Sequence, residues 1–229
     1  GVGNNPVGYQ GGIFDGRYMY FVPYQNGEGR HGEVLRYDTT ANFQSAESWS
    51  TFDAGANGVG NDPDGYVMGV FDGRYIYFAP YNNGNDFHGE VLRYDTTDNF
   101  QSGNAWSTFD AGANGVGNDP DGYWGVELVG KHIYFVPYHN DSDFHSEVLR
   151  YDTTSNFESS NSWNTFDVSN YSSDDPDGYI GGAFDGRYVY FSPINNGSFF
   201  HSEVLRYDTT SNFGSPNAWS TFDTGANGV

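Results

Sequence analysis

A single unit written four times dominates this chain. The segment His-x-Glu-Val-Leu-Arg-Tyr-Asp-Thr-Thr begins at His31, His88, His145 and His201, so the steps are 57, 57 and 56 residues. Trp49, Trp106, Trp163 and Trp219 keep those steps, as do Pro23, Pro80, Pro137 and Pro193. A period this long makes each unit one supersecondary element that cannot bury its own apolar face and is completed by its neighbours. The chain is expected to form one domain over residues 1–229, with repeats at 1–57, 58–114, 115–170 and 171–229.

The second unit shows what each element is. Tyr66–Phe71 is an apolar run that ends at Asp72-Gly73, and Arg74–Pro80 resumes at once, which is a strong hairpin signal. Asn83-Gly84 marks the next turn, and Glu90–Tyr94 is a third strand, with Leu92 and Tyr94 on one face and Val91 and Arg93 on the other. Trp106–Phe109 is the fourth, followed by a Gly/Asn/Ala linker into the next unit. Four short strands (a to d) without a helical period predict an antiparallel blade. Glycines in strand a (Gly11, Gly12, Gly69, Gly125, Gly181, Gly182) fit an innermost strand where blades crowd together.

These residues resemble the kelch repeat of β-propellers: Asp72–Phe78 is similar to its hairpin, Glu90–Asp95 to its strand ending in Tyr-Asp, and Trp106 to the residue opening its outer strand. Pro80-Tyr81 stands where kelch repeats carry Gly-Gly, and the c–d loop is longer. The resemblance implies an all-β propeller. Gly1-Val2 and Gly228-Val229 fall at one point of the repeat, so the count predicts a closed four-bladed β-propeller with hemopexin-like architecture, each blade a four-stranded antiparallel sheet. The alternatives are a piece of a longer array or a larger ring shared between chains. Closure predicts a monomer.

Composition excludes some partners. Nine basic against 30 acidic residues give a net charge of −21, which repels phosphate backbones and anionic headgroups, so neither nucleic acid nor membrane insertion is expected. No apolar run approaches the ~18 residues of a membrane span. With no cysteine there is neither a disulfide framework nor a thiolate metal site. One lysine, Lys131, among abundant Asn, Gly, Tyr and Asp points to an extracellular or cell-surface protein. Aromatic residues are 19% of the chain and must supply much of the core.

In a propeller the d–a linkers and b–c loops emerge on one face. That face is expected to gather the ligand-binding candidates Tyr81, Asn83, His88, Trp124, Tyr138, His139 and His145. It also holds the Asp-Pro-Asp-Gly segments, where Asp62, Asp64, Asp119, Asp121, Asp175 and Asp177 are either turn formers or oxygen ligands for Ca²⁺. The first unit has Asn5 and Val7 at those positions, which breaks any fourfold set. No cofactor is required by the sequence; Ca²⁺ is the one candidate. His88, Glu90 and Arg93 recur in every unit, which favours hydrogen bonds and ion pairs between blades over catalysis, and Asp38, Asp95, Asp152 and Asp208 read as turn formers. Trp124, Glu127, Lys131 and His132 depart from the repeat and mark the third unit as specialised or drifted.

The expected function is a non-catalytic binding module for neutral carbohydrate, using several similar top-face or inter-blade pockets. A calcium-stabilised protein-interaction or structural module, a glycoside hydrolase, and an engineered or recently duplicated protein without a ligand are the alternatives. Propellers host all of these, so fold alone does not choose among them.

Overall fold

A computed structural model of the chain describes residues 2–171 and 175–228. Gly1 and Val229, on which the comparison of chain ends drew, lie outside them. The chain divides into two compact units, Gly1–Asp110 and Ala111–Val229.

The first unit contains two antiparallel sheets. One is β1 (Tyr9–Phe14), β2 (Tyr18–Pro23), β3 (Glu33–Asp38) and β4 (Trp49–Asp53); the other is β5 (Tyr66–Phe71), β6 (Tyr75–Pro80), β7 (Glu90–Asp95) and β8 (Trp106–Asp110). The second unit repeats the plan with β9 (Tyr123–Val129), β10 (His132–Pro137), β11 (Glu147–Asp152) and β12 (Trp163–Asp167), then β13 (Tyr179–Phe184), β14 (Tyr188–Pro193), β15 (Glu203–Asp208) and β16 (Trp219–Asp223). Strand order follows chain order in all four sheets, the construction of propeller blades.

Local chemistry explains each hairpin. At the a–b turn of the second blade, Asp72 Oδ1 accepts the Arg74 and Tyr75 amides at 2.8 and 2.7 Å, while Gly73 supplies the positive φ of 103°. The same Arg74 pairs with Asp95 at 2.7 Å, and Asp95 Oδ1 accepts from the Thr97 amide and hydroxyl at 3.0 and 2.6 Å. The aspartates at the ends of strand c are therefore turn formers, as expected, and also ion-pair partners. In the third blade Lys131 makes the corresponding contact with Asp152 at 2.6 Å, so its departure from arginine preserves the interaction.

Within each blade the tryptophan is pinned. Trp106 Nε1 donates to the Phe100 carbonyl at 3.0 Å, and its ring stacks on Tyr94 at 4.5 Å. Packing between blades uses the opposite face. In the first unit Phe52 lies parallel to Trp106 at 4.8 Å and Arg36 sits 4.1 Å over the Phe100 ring; in the second, Phe166 lies on Trp219 at 5.0 Å and Arg150 sits 4.1 Å over Phe213. The strand-c arginine was expected to reach its neighbour through hydrogen bonds and ion pairs; it hydrogen-bonds the next blade's tyrosine, Arg36 with Tyr94 and Arg150 with Tyr207, and adds a cation–π contact where an aromatic ring rather than a carboxylate faces it. Inner strands meet where glycine allows: a Cβ on Gly69 would lie 2.5 Å from Ile13 Cδ1 and 2.7 Å from the Tyr77 carbonyl oxygen.

Candidate functional site

The strand-c glutamate organises the linker face. Glu90, buried at the start of β7, accepts the Asn61 and Asp62 amides at 2.9 and 3.1 Å, and Glu147 does the same for Asn118 and Asp119 at 2.9 and 3.0 Å. The linker inside each unit is then tied to the b–c loops on either side of it. Gly65 donates to the His31 carbonyl of the first blade at 3.2 Å, and its own carbonyl accepts from Tyr81 and Asn82 of the second. Gly178 likewise donates to His145 at 3.1 Å.

This junction in the first unit encloses an open cleft of about 430 Å³, lined among others by Asn26, Arg30, His31, Asp53, Asp62 and Asp64. Burial, reinforced by Asp62, Asp53 and Glu90, pushes the Asp64 carboxyl up to about 7. Beside the cleft Arg30 lies 4.0 Å over the Tyr24 ring and 5.5 Å over Tyr81, and Tyr81 meets Phe87 edge-on at 5.1 Å. In the second unit Asp177 is pushed up to about 7 by burial, with Asp175 and Asp167 adding to the rise and a Ser146 hydrogen bond partly offsetting it. Asp175 has a φ of 48°, the left-handed conformation an aspartate tolerates better than most residues.

The third blade assembles four rings. Trp124 lies 5.1 Å from Tyr138, Tyr138 is 5.1 Å from Phe144, and His139 is 4.9 Å from Phe144 and 6.4 Å from Tyr138. Trp124, Tyr138 and His139 are half-buried. Asn83, on the second blade's loop, is also half-buried, and its Oδ1 accepts the Asn85 and Asp86 amides at 3.0 and 2.9 Å. Three expected site residues are thus gathered into one cluster, with Tyr81 at the corresponding place in the first unit.

The two remaining histidines sit deeper. His88 and His145 are 8% and 9% exposed, edge-on to Tyr66 and Tyr123, and His145 Nε2 lies 2.8 Å from the Asp121 carbonyl oxygen. Burial lowers both imidazoles to about 4, outweighing the nearby linker carbonyls. His145 braces its linker through its contact with Asp121, while His88 packs against Tyr66. The acidic candidates are spread along the linkers: Asp119 is raised by burial and by Asp141, and Asp121 contributes its carbonyl to His145. Among the described residues no group of three or more His, Asp or Glu side chains is arranged to hold a metal ion.

Sequence reasoning passed over Tyr24, Arg30, Phe87 and Phe144. The signal was available in the register of the repeats, where Arg30, Phe87, Phe144 and Phe200 occupy one position and only the first unit substitutes a cation.

No protein-family profile and no characterised protein matches this sequence at a significant level. Among solved structures the fold is similar to a β-propeller in the crystal structure of a nidogen/laminin complex, with a TM-score of 0.52 and 11% sequence identity. The match covers 94% of this chain and 64% of that one. The chain therefore has an all-β, β-propeller fold, and the similarity extends to the fold alone.

Proposed function

We propose that this protein is a non-catalytic binding module whose linker and b–c loop face recognises neutral carbohydrate, with kelch-type kinship and an extracellular setting as parts of the same reading. The observation that supports it is the recurrence, in both units, of aromatic clusters beside loops rich in Asn and Asp. Ring faces stack on the apolar faces of sugars while amides and carboxylates bond their hydroxyls. A cleft of about 430 Å³ falls in the range of small-ligand sites, and repeated weak sites gain affinity by multivalency.

A protein partner is the second reading, favoured by the fold similarity to a component of a protein–protein complex. A glycan-array screen with and without Ca²⁺ separates the two. Binding to neutral glycans supports the carbohydrate reading; stabilisation by Ca²⁺ with no glycan bound supports the protein-interaction module; cleavage of a bound oligosaccharide overturns the non-catalytic assignment.

A further inference from the structure

Six Asn-Gly pairs occur in the chain, at Asn26, Asn57, Asn83, Asn114, Asn196 and Asn227. Each sets an electrophile, the side-chain amide carbon, beside a backbone amide nitrogen that glycine, with no Cβ, leaves uncrowded. In five of the six that backbone amide is already engaged. Gly58, Gly115 and Gly228, which follow the outer strands, donate to the carbonyls of Gly55, Gly112 and Gly225 at 3.0, 3.0 and 3.2 Å. Gly84 and Gly197, in b–c loops, donate to the side-chain oxygens of Asn82 and Asn195 at 3.0 and 2.8 Å.

The first blade differs at the residue that supplies this acceptor. Gln25 stands where the second and fourth blades carry Asn82 and Asn195, its amide one methylene farther out, and among the described residues nothing accepts from the Gly27 amide. Gly27 is exposed, and a Cβ there would meet nothing within 4 Å. The electrophile is held alike in all three loops. Oδ1 of Asn26 accepts the Glu28 and Gly29 amides at 2.8 and 3.1 Å, that of Asn83 accepts those of Asn85 and Asp86 at 3.0 and 2.9 Å, and that of Asn196 accepts those of Ser198 and Phe199 at 3.2 and 3.1 Å. Two donors on Oδ1 polarise the amide carbon and stabilise the oxyanion that forms when it is attacked. The loops therefore differ in the nucleophile and not in the electrophile.

We propose that Asn26 is the chain's principal site of spontaneous deamidation, a self-modification that consumes only water. The free Gly27 amide nitrogen gives its proton to solvent and attacks Asn26 Cγ. The new C–N bond closes a cyclic imide, the Cγ–Nδ2 bond breaks, and Nδ2 takes up a proton and leaves as ammonia. Water then opens the imide. Attack at Cγ leaves aspartate, and attack at the main-chain carbonyl leaves isoaspartate, in which the main chain runs through Cγ and is one carbon longer. Asn26 lines the cleft that holds Asp53, Asp62 and Asp64, so either product adds a carboxylate there. Isoaspartate also breaks the local register that sets the loop bearing Arg30, where the Asn26 amide donates to the Gly29 carbonyl at 2.9 Å and Gln25 bridges to Arg30. The cleft thus ages towards greater negative charge, whatever this face binds.

Incubation of the folded chain in mildly alkaline heavy-oxygen water, followed by peptide mapping in a mass spectrometer, tests the proposal, because each new carboxylate carries a labelled oxygen. Asn26 should react several-fold to about tenfold faster than Asn83 or Asn196, the range that one hydrogen bond on the attacking nitrogen allows. Gln25→Asn, at an exposed position, supplies the missing acceptor and should slow Asn26 to the rate of Asn83. Asn82→Gln should raise Asn83 towards the rate of Asn26. In denaturant the three sites, each followed by glycine, should react alike. Equal rates at Asn26 and Asn83 in the folded chain, a Gln25→Asn variant as fast as the wild type, or a difference that persists in denaturant overturns the proposal.

Discussion

Phe52 lies flat against Trp106, ring centroids 4.8 Å apart and planes 6° apart, and in the second unit Phe166 and Trp219 repeat the arrangement at 5.0 Å and 3°. Phe52 comes from the outer strand of one blade and Trp106 from the outer strand of the next. The recurring Trp and Phe of each unit are therefore a single device, in which one blade's tryptophan receives the preceding blade's phenylalanine. Trp106 is 5% exposed and fixed by its own indole hydrogen bond, so Trp106→Ala leaves a large cavity between two sheets. The expected loss is about 3–5 kcal/mol by denaturant unfolding.

Glycines in the inner strands do not all serve the same purpose. Gly69→Ala drives a methyl against the Tyr77 carbonyl, which belongs to a paired strand and cannot yield, and should destabilise by about 1–3 kcal/mol. Gly181→Ala meets nothing within 4 Å and should be neutral or slightly stabilising. Thermal melts of the two variants make the comparison.

The blade plan was legible because the period, the Asp-Gly hairpins and the Trp position each leave a local mark; β5 through β8 begin within a residue of where the sequence put them. The linker face was legible only in part. Its loops could be placed together from topology, yet whether a side chain faces solvent or sits beneath a linker depends on tertiary packing. His88 and Tyr81 look equally available in sequence, and one is buried edge-on to Tyr66 while the other belongs to a ring cluster. The arginine cation–π contacts were missed for a similar reason, since a charged residue suggests a hydrogen bond or an ion pair until the facing ring is seen.

Stability against pH should carry opposed contributions. Asp64 and Asp177 titrate near 7 when folded and near 4 when unfolded, so each favours the fold below pH ~4 and loses that contribution as pH rises towards 7. His88 and His145 titrate near 4 when folded and near 6.5 when unfolded, so each favours the fold above pH ~6.5 and loses that contribution as pH falls towards 4. The slopes cancel over much of this window. Asp64→Asn with Asp177→Asn removes one set, and its melting temperature should then climb from pH 4 to 6.5 more steeply than that of the wild type. At pH 8 the double variant should be more stable, by about 1 kcal/mol per site once solvent screening is allowed for. Equal profiles for the two proteins would show that these carboxyls are not buried as described.

Calcium, if it occupies the linkers, must displace a proton from Asp64 or Asp177. The stabilisation it gives by mass action should therefore be larger at pH 8 than at pH 5.5 and should be lost in the double Asn variant. Melts with calcium and with a chelator measure this. Identical midpoints at both pH values leave the Asp-Pro-Asp-Gly segments as turns alone.

If the linker and loop face binds carbohydrate as proposed, the third blade should carry much of the affinity. Trp124→Val and His139→Asn copy the second unit's residues, Val67 and Asn82, into positions the fold already accommodates. Calorimetric titration of the strongest neutral glycan from the array should show affinity reduced about tenfold or more in the double variant, from loss of a stacking ring and a polar contact. Its melting temperature should stay close to that of the wild type. Unchanged affinity in a folded variant, or no neutral glycan bound by the wild type, contradicts the account.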